Sequence, residues 1–237
     1  MESMNRLAIF DIDGTLTDTN GVDDEAYRTA VASAIEVAPD IIDWSGALHV
    51  TDAEIFRHLC ARHGVGEPSV ELMSSARAQF VERLTSTLDS EPHRFTEVDG
   101  ARAMLQRLDR EGWCVALATG GWGPSARLKL HAARLDVDET LLACADDGVS
   151  RADIVQLARQ RAESFYGKHF DRVVSVGDGV WDATTAATLT LPFIGIARGE
   201  KADRLRRAGA TLVLPDYRDL DGFVSALMSA GVPQARP

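Results

Sequence analysis

Four short stretches carry residue types that can do chemistry together. Asp11-Ile12-Asp13-Gly14-Thr15 sets two carboxylates beside a glycine, and Gly177-Asp178-Gly179-Val180-Trp181-Asp182 sets two more around another. Thr119-Gly120-Gly121 offers a hydroxyl and a run of backbone N–H groups, and Ser150-Arg151-Ala152-Asp153 places a guanidinium where a helix can begin. Carboxylates around a glycine turn suit a hard divalent cation or proton transfer. A hydroxyl followed by exposed N–H groups at a helix entry suits an oxyanion. Each stretch also has a plain reading: a solvated acidic turn, an N-cap, a surface arginine, an acidic helix start. Two alternatives fall away. An EF-hand loop is excluded because Gly14 comes at the fourth position and Val22 stands where the bidentate glutamate belongs. A P-loop is excluded because no Gly-Lys-Ser/Thr occurs.

Residues so far apart can meet only if the fold returns them to one edge. Apolar runs at residues 7–10, 114–118 and 173–176 end just before three of the stretches, and further runs lie at 140–143, 193–196 and 211–214. Continuous apolar runs without alternation are expected of strands buried on both faces of a parallel sheet. Helical spacing fills the intervals: Ala101, Met104, Leu105 and Leu108 fall on one face of residues 101–110. The expected class is α/β, a Rossmann-like three-layer core with a central parallel sheet. Strand alternation then directs the side chains of Asp11 and Asp13 to the same side, at the carboxyl end of a strand, where such sheets bind ligands.

One connection is too long for a loop. About 85 residues separate the first strand from the helix near Val98, so this segment must carry its own structure. Helical patterns occupy 23–37, 52–63 and 69–88, the second opening with Thr51-Asp52-Ala53-Glu54 in capping-box spacing. The expected division is a core of residues 1–21 and 96–237, interrupted by a helical insertion at 22–95.

Composition sets the outer limits. A chain of 237 residues amounts to about 1.6 domains at ~150 residues each, which fits a core plus an insertion. The net charge of −11 argues against nucleic acid or an anionic membrane surface as partner. The insertion holds six arginines, thirteen acidic residues and no lysine. No stretch is long and apolar enough to span a membrane, and residues 1–10 lack the apolar segment of a signal peptide. Cys60, Cys114 and Cys144 form no Cys-x-x-Cys pair and read as buried apolar residues. A cytoplasmic protein is expected.

In order and context, the four stretches match the signature of the haloacid dehalogenase (HAD) superfamily, and the chain resembles its phosphatase branch over the whole length. That signature has Asp-x-Asp-Gly-Thr after the first strand, Thr or Ser after the second, Lys or Arg at a later helix, and Gly-Asp-x-x-x-Asp after the fourth strand. The insertion is similar to the helical cap of the phosphoglycolate phosphatase and β-phosphoglucomutase group. The resemblance implies Mg²⁺-dependent hydrolysis of a small phosphorylated metabolite, phosphoglycolate- or sugar-phosphate-like, by a monomer or homodimer. It implies that Asp11 is a nucleophile forming an aspartyl-phosphate and that Asp13 is an acid/base, also offering its backbone carbonyl to the metal. Asp11, Asp178 and Asp182 would complete the metal site. Gly14, Thr119 and Gly120 would bind phosphate, and Arg151 would balance charge. A phosphomutase with the same intermediate is the alternative. A silent phospho-ligand scaffold is another; its mark would be loss of Asp11 or Asp13, and both are present.

Charge favours the metal. Carboxylates ~4 Å apart repel by about 4 kcal/mol at an effective dielectric near 20, so three of them need a divalent cation and Arg151 to reach neutrality. A phosphate dianion then calls for further donors. The sequence also departs from the family pattern. Gly120 stands where many capped members have asparagine, and Arg151 replaces the usual lysine, with Lys168 a second candidate for that role. His49 and Val50 precede Thr51 where relatives carry a basic residue, which makes His49 a candidate substrate contact. Trp122 either lines the pocket or packs on the insertion. Haloacid dehalogenation is disfavoured by Asp13. Schiff-base chemistry is disfavoured because the lysines (Lys129, Lys168 and Lys201) all lie outside the insertion.

Overall fold

A computed structural model describes residues 4–45 and 50–234. β1 (Arg6–Phe10) pairs in parallel with β4 (Trp113–Ala118) on one side and β6 (Arg172–Gly177) on the other. β5 (Leu142–Ala143), β7 (Phe193–Ile196) and β8 (Leu212–Leu214) complete a six-stranded sheet in the order β5-β4-β1-β6-β7-β8. All its pairings are parallel. Each apolar run expected to be a strand is one. β5 is shorter than its run, because Asp138 accepts the Thr140 N–H at 2.9 Å and winds residues 139–141 into a 3₁₀ turn.

Alternate residues of β1 feed opposite faces of the sheet. Ala8 and Phe10 pack with α4 (Ala101–Arg110), α5 (Gly123–Ala132) and α9 (Leu220–Ser229). Leu7 and Ile9 pack with α6 (Arg151–Tyr166). α7 (Val180–Thr188) and α8 (Gly199–Arg207) cover Phe193 of β7. Phe10 is fully buried against Phe223 and Tyr217, and each such ring contributes ~1.5–3 kcal/mol. The result is three layers, with strand order reversing beside β1. At that point the carboxyl ends of β1 and β6 flank a crevice.

The long connection leaves and re-enters the core through a two-stranded antiparallel ribbon, β2 (Thr17–Asp18) with β3 (Thr96–Glu97). Between them lie α1 (Asn20–Ala34), α2 (Asp52–Arg62) and α3 (Val70–Ser90). α1 starts three residues before its expected position. It also stops three short, where Glu36 turns left-handed (φ 57°) and the Val37 N–H returns to Ala32 O. α2 begins as its spacing implies, with the Thr51 hydroxyl accepting the Glu54 N–H. These helices share a core of Tyr27, Val31, Phe56, Leu59, Phe80 and Leu84, joined by Trp122 from the sheet side. Among the described residues no helix is long and apolar enough to cross a membrane.

Candidate active site

β1 and β6 end side by side, and the Asp11 N–H donates to Val176 O at 2.9 Å. The chain beyond β1 then turns at Gly14, whose φ is +72°. A Cβ there would sit 1.8 Å from Asp178 Oδ2. Only glycine admits both this backbone and this approach. Gly14 supplies space rather than a phosphate donor, since its N–H is already given to Thr17 O at 2.7 Å.

The approach brings three buried acids together. One carboxylate oxygen from each of Asp11, Asp178 and Asp182 lies within 4.8 Å of the others. Asp182, in the first turn of α7, accepts the Gly179 N–H through Oδ2 at 2.9 Å and Arg151 through Oδ1 at 3.2 Å. Arg151 opens α6, whose start is fixed by a capping box between Ser150 and Asp153. Its Nη1 also reaches Asp11 Oδ1 at 3.0 Å, while Nε donates to Val50 O at 2.8 Å. Asp178 Oδ2 accepts Asn20 at 3.0 Å and pairs with Lys201.

Burial pushes the Asp11 carboxyl well above the ordinary range, Asp182 adds to the effect, and Arg151 opposes it. Burial likewise raises Asp178 against the pull of Lys201, and raises Asp182 to about 6 against Arg151. Three acids share two cations, so the cluster is short of positive charge. Hard oxygen donors at this spacing and charge fit a divalent cation of the Mg²⁺ type.

Asp11 of this cluster, together with Arg151 and Lys201, lines a cavity of about 530 Å³. Thr119, Gly120 and Gly121 line it from the end of β4, and Asp13 and Trp181 line it as well. Gly120 has no room for a side chain: a Cβ would meet Val50 O at 2.6 Å and Arg151 Nε at 2.7 Å. That accounts for the departure from asparagine. The other wall comes from the helical segment, with Asp23, Asp24, Tyr27, Trp44, Asp52 and Ile55.

Asp11 and Asp13 both line this cavity but hold different partners. β1 ends at Phe10, so strand alternation does not govern the residues beyond it. The Asp13 carboxylate takes the Lys129 ammonium at 2.5 Å and the Thr19 hydroxyl at 2.7 Å. Lys168 is not in the site; its ammonium lies near the rings of Tyr166 and Phe170 on the far end of α6. Trp122 is 1% exposed and packs against Tyr27 and Phe80, so packing is its role. His49 lies outside the described residues.

Sequence reasoning did not single out Asn20, Asp23, Asp52, Lys129 or Lys201 as site residues. One signal was available: Lys129 stands between Leu128 and Leu130 in a chain with three lysines among 25 basic residues. A charge on the apolar stripe of a helix needs a buried partner.

Residues 6–189 match the family model described as haloacid dehalogenase-like hydrolase. No curated protein matches the chain. Among solved structures, it is similar to a hydrolase from Pseudomonas syringae at 22% identity and TM-score 0.71, over 93% of this chain and 98% of that one. A family IA, variant 3 HAD hydrolase from Entamoeba histolytica aligns at 15% identity and TM-score 0.71, over 94% and 99%. CbbY from Rhodobacter sphaeroides, in complex with xylulose-(1,5)bisphosphate, aligns at 20% identity and TM-score 0.68, over 91% and 96%.

Proposed function

The chain belongs to the haloacid dehalogenase-like hydrolases, and on that premise we propose that it is a Mg²⁺-dependent phosphatase of a small phosphomonoester. The observation that carries this reading is the buried group Asp11, Asp178 and Asp182, with Arg151 bridging Asp11 and Asp182 and with Asp11 and Arg151 lining a cavity. A divalent cation held by these carboxylates and the Asp13 carbonyl would screen the repulsion between a nucleophilic acid and a phosphate dianion.

In this reading Asp11 attacks phosphorus and carries the phosphoryl group as an aspartyl-phosphate. Arg151 holds Asp11 in place and faces the equatorial oxygens. The Thr119 hydroxyl and the Gly120 N–H supply the remaining donors. Asp13 gives a proton to the departing oxygen and later takes one from the attacking water. Lys201 supplies charge that the motifs alone lacked: with Arg151, Lys201 and a divalent cation, the three acids and a phosphate dianion come within one charge of neutrality.

The helical segment, residues 22–95, serves as a cap that reads the leaving group. The described residues lining its side of the cavity include three carboxylates and no cation. A second anionic group would find no partner there. This favours a sugar-phosphate-like ester with a neutral leaving group over phosphoglycolate.

The test is turnover of a panel of phosphomonoesters by the purified protein, with and without EDTA, following free phosphate and isomer formation separately. Phosphate release that EDTA abolishes and Mg²⁺ restores is expected, and Asp11→Asn should be inert while folded. Isomer formation would move the reading to a phosphomutase; no turnover of any ester would leave the scaffold.

A further inference from the structure

The acid/base assigned to Asp13 is not free in this structure. Its Oδ2 accepts Lys129 at 2.5 Å. Its Oδ1 accepts the Thr19 hydroxyl at 2.7 Å, and that hydroxyl is also 2.7 Å from the Thr17 hydroxyl. Turning the Asp13 carboxyl group toward a leaving-group oxygen moves both of its oxygens, and so draws it away from both partners. Thr19 is easily released, because a neutral hydroxyl can bond elsewhere. Lys129 is not: its side chain is 1% exposed, and a buried ammonium left without a counter-charge is strongly unfavourable. Lys129 has a second carboxylate at the same distance, Asp23 Oδ1 at 2.5 Å. Asp23 stands in the first turn of α1, on the helical wall of the cavity, whereas Lys129 belongs to α5 of the core.

We propose that Asp23 is a positioning residue for the acid/base step: it retains Lys129 when Asp13 turns toward substrate, so that no buried cation is stranded. The cation thus passes between a partner on the catalytic loop and a partner on the insertion. Release of Asp13 therefore depends on where α1 sits. This rests on the acid/base role proposed for Asp13. Asp52 and Asp24 are the other acids near this seam, and neither is within hydrogen-bonding range of Lys129.

The experiment compares two esters by the rate of leaving-group release in a single turnover, which precedes the hydrolysis of the aspartyl-phosphate that both share. p-Nitrophenyl phosphate has a leaving group that needs no proton, whereas glycerol 2-phosphate has an alkoxide that does. Asp23→Asn keeps the shape but weakens the second anchor. It is expected to lower that single-turnover rate on the alkyl ester by roughly 10- to 100-fold while the aryl ester loses less than about threefold. Lys129→Met combined with Asp23→Asn removes the cation together with its anchor, and is expected to return the alkyl-to-aryl ratio to within about threefold of the parent. If that pair does not fold, judged by circular dichroism and a thermal midpoint, Lys129→Gln with Asp23→Asn replaces it.

Equal losses on both esters in Asp23→Asn, or a double variant no better than the single, would overturn the proposal and leave a structural ion pair. Asp13→Asn separates this from the parent reading. If Asp13→Asn is selective for the alkyl ester and Asp23→Asn is not, the positioning role fails alone. If Asp13→Asn is unselective, or the parent protein hydrolyses neither ester, the acid/base reading fails and takes this proposal with it.

Discussion

Arg151 Nη1 donates to Asp11 Oδ1 at 3.0 Å across a sequence separation of 140 residues. The same nitrogen reaches Asp182, and Nε holds Val50 O. One guanidinium thus ties β1, the start of α7 and the segment leading into α2.

A lysine retains the charge but not the fork. Arg151→Lys should lose roughly 10- to 100-fold in kcat/KM and weaken inhibition by inorganic phosphate, as a single ammonium nitrogen cannot stand at the positions of both Nη1 and Nε. Steady-state kinetics with phosphate as inhibitor reads this. Unchanged constants would mean that Arg151 faces no substrate oxygen.

The cramped setting of Gly120 leads to a second expectation. Gly120→Ala places a methyl against Val50 O and the Arg151 guanidinium, and one of them must move. Activity should fall by about tenfold or more, because displacing Arg151 disturbs the charge around Asp11. A crystal structure of the variant should show Arg151 shifted. Full activity would show that the seam between core and helices yields at no cost.

Lys201 pairs with Asp178, an acid expected to bind the metal. Removing a competing cation favours the metal, so Lys201→Met should need less Mg²⁺ to reach the same rise in thermal midpoint. A ligand at 100 times its Kd adds about 2.7 kcal/mol to the folded state, which makes the titration readable by heat alone. Inhibition by phosphate should weaken in the same variant. A Mg²⁺ requirement that rises on substitution would count against Lys201 as competitor.

Asp52 carries a pH signature. Burial pushes its carboxyl up to about 8, with Asp23 adding to the rise, while Lys129 and the Trp122 N–H pull it down. A raised acid means that the folded protein holds the proton more tightly than the unfolded chain. Stability from this group is therefore present at low pH and is lost as pH climbs from about 4 to about 8. Asp52→Asn cannot ionise and keeps an oxygen for the Trp122 N–H. Its thermal midpoint relative to the parent should rise between about pH 4 and about pH 8 and then level off, at ~2–4 °C per kcal/mol recovered. A difference flat with pH would place the Asp52 carboxyl in its ordinary range.

The strands were legible because each is a continuous apolar run, and that pattern depends only on neighbours in the chain. The same holds for Thr51 as a helix cap. Where an end depended on one side chain bonding locally, as Asp138 does before β5, the pattern ran too long. The motifs named Asp11, Asp178, Asp182 and Arg151 because their residue types and order are distinctive, and the fold brings these four together.

Lys129, Asp23 and Lys201 carry no such local mark. Sequence alone determined which elements form and which acids stand at their ends, since both depend on short-range periodicity and turn chemistry. Tertiary structure decided what those acids touch. It put Lys129 on Asp13, gave Arg151 rather than Lys168 to Asp11, and added Lys201 at Asp178, because long-range charge pairing depends on which helices the sheet order brings together.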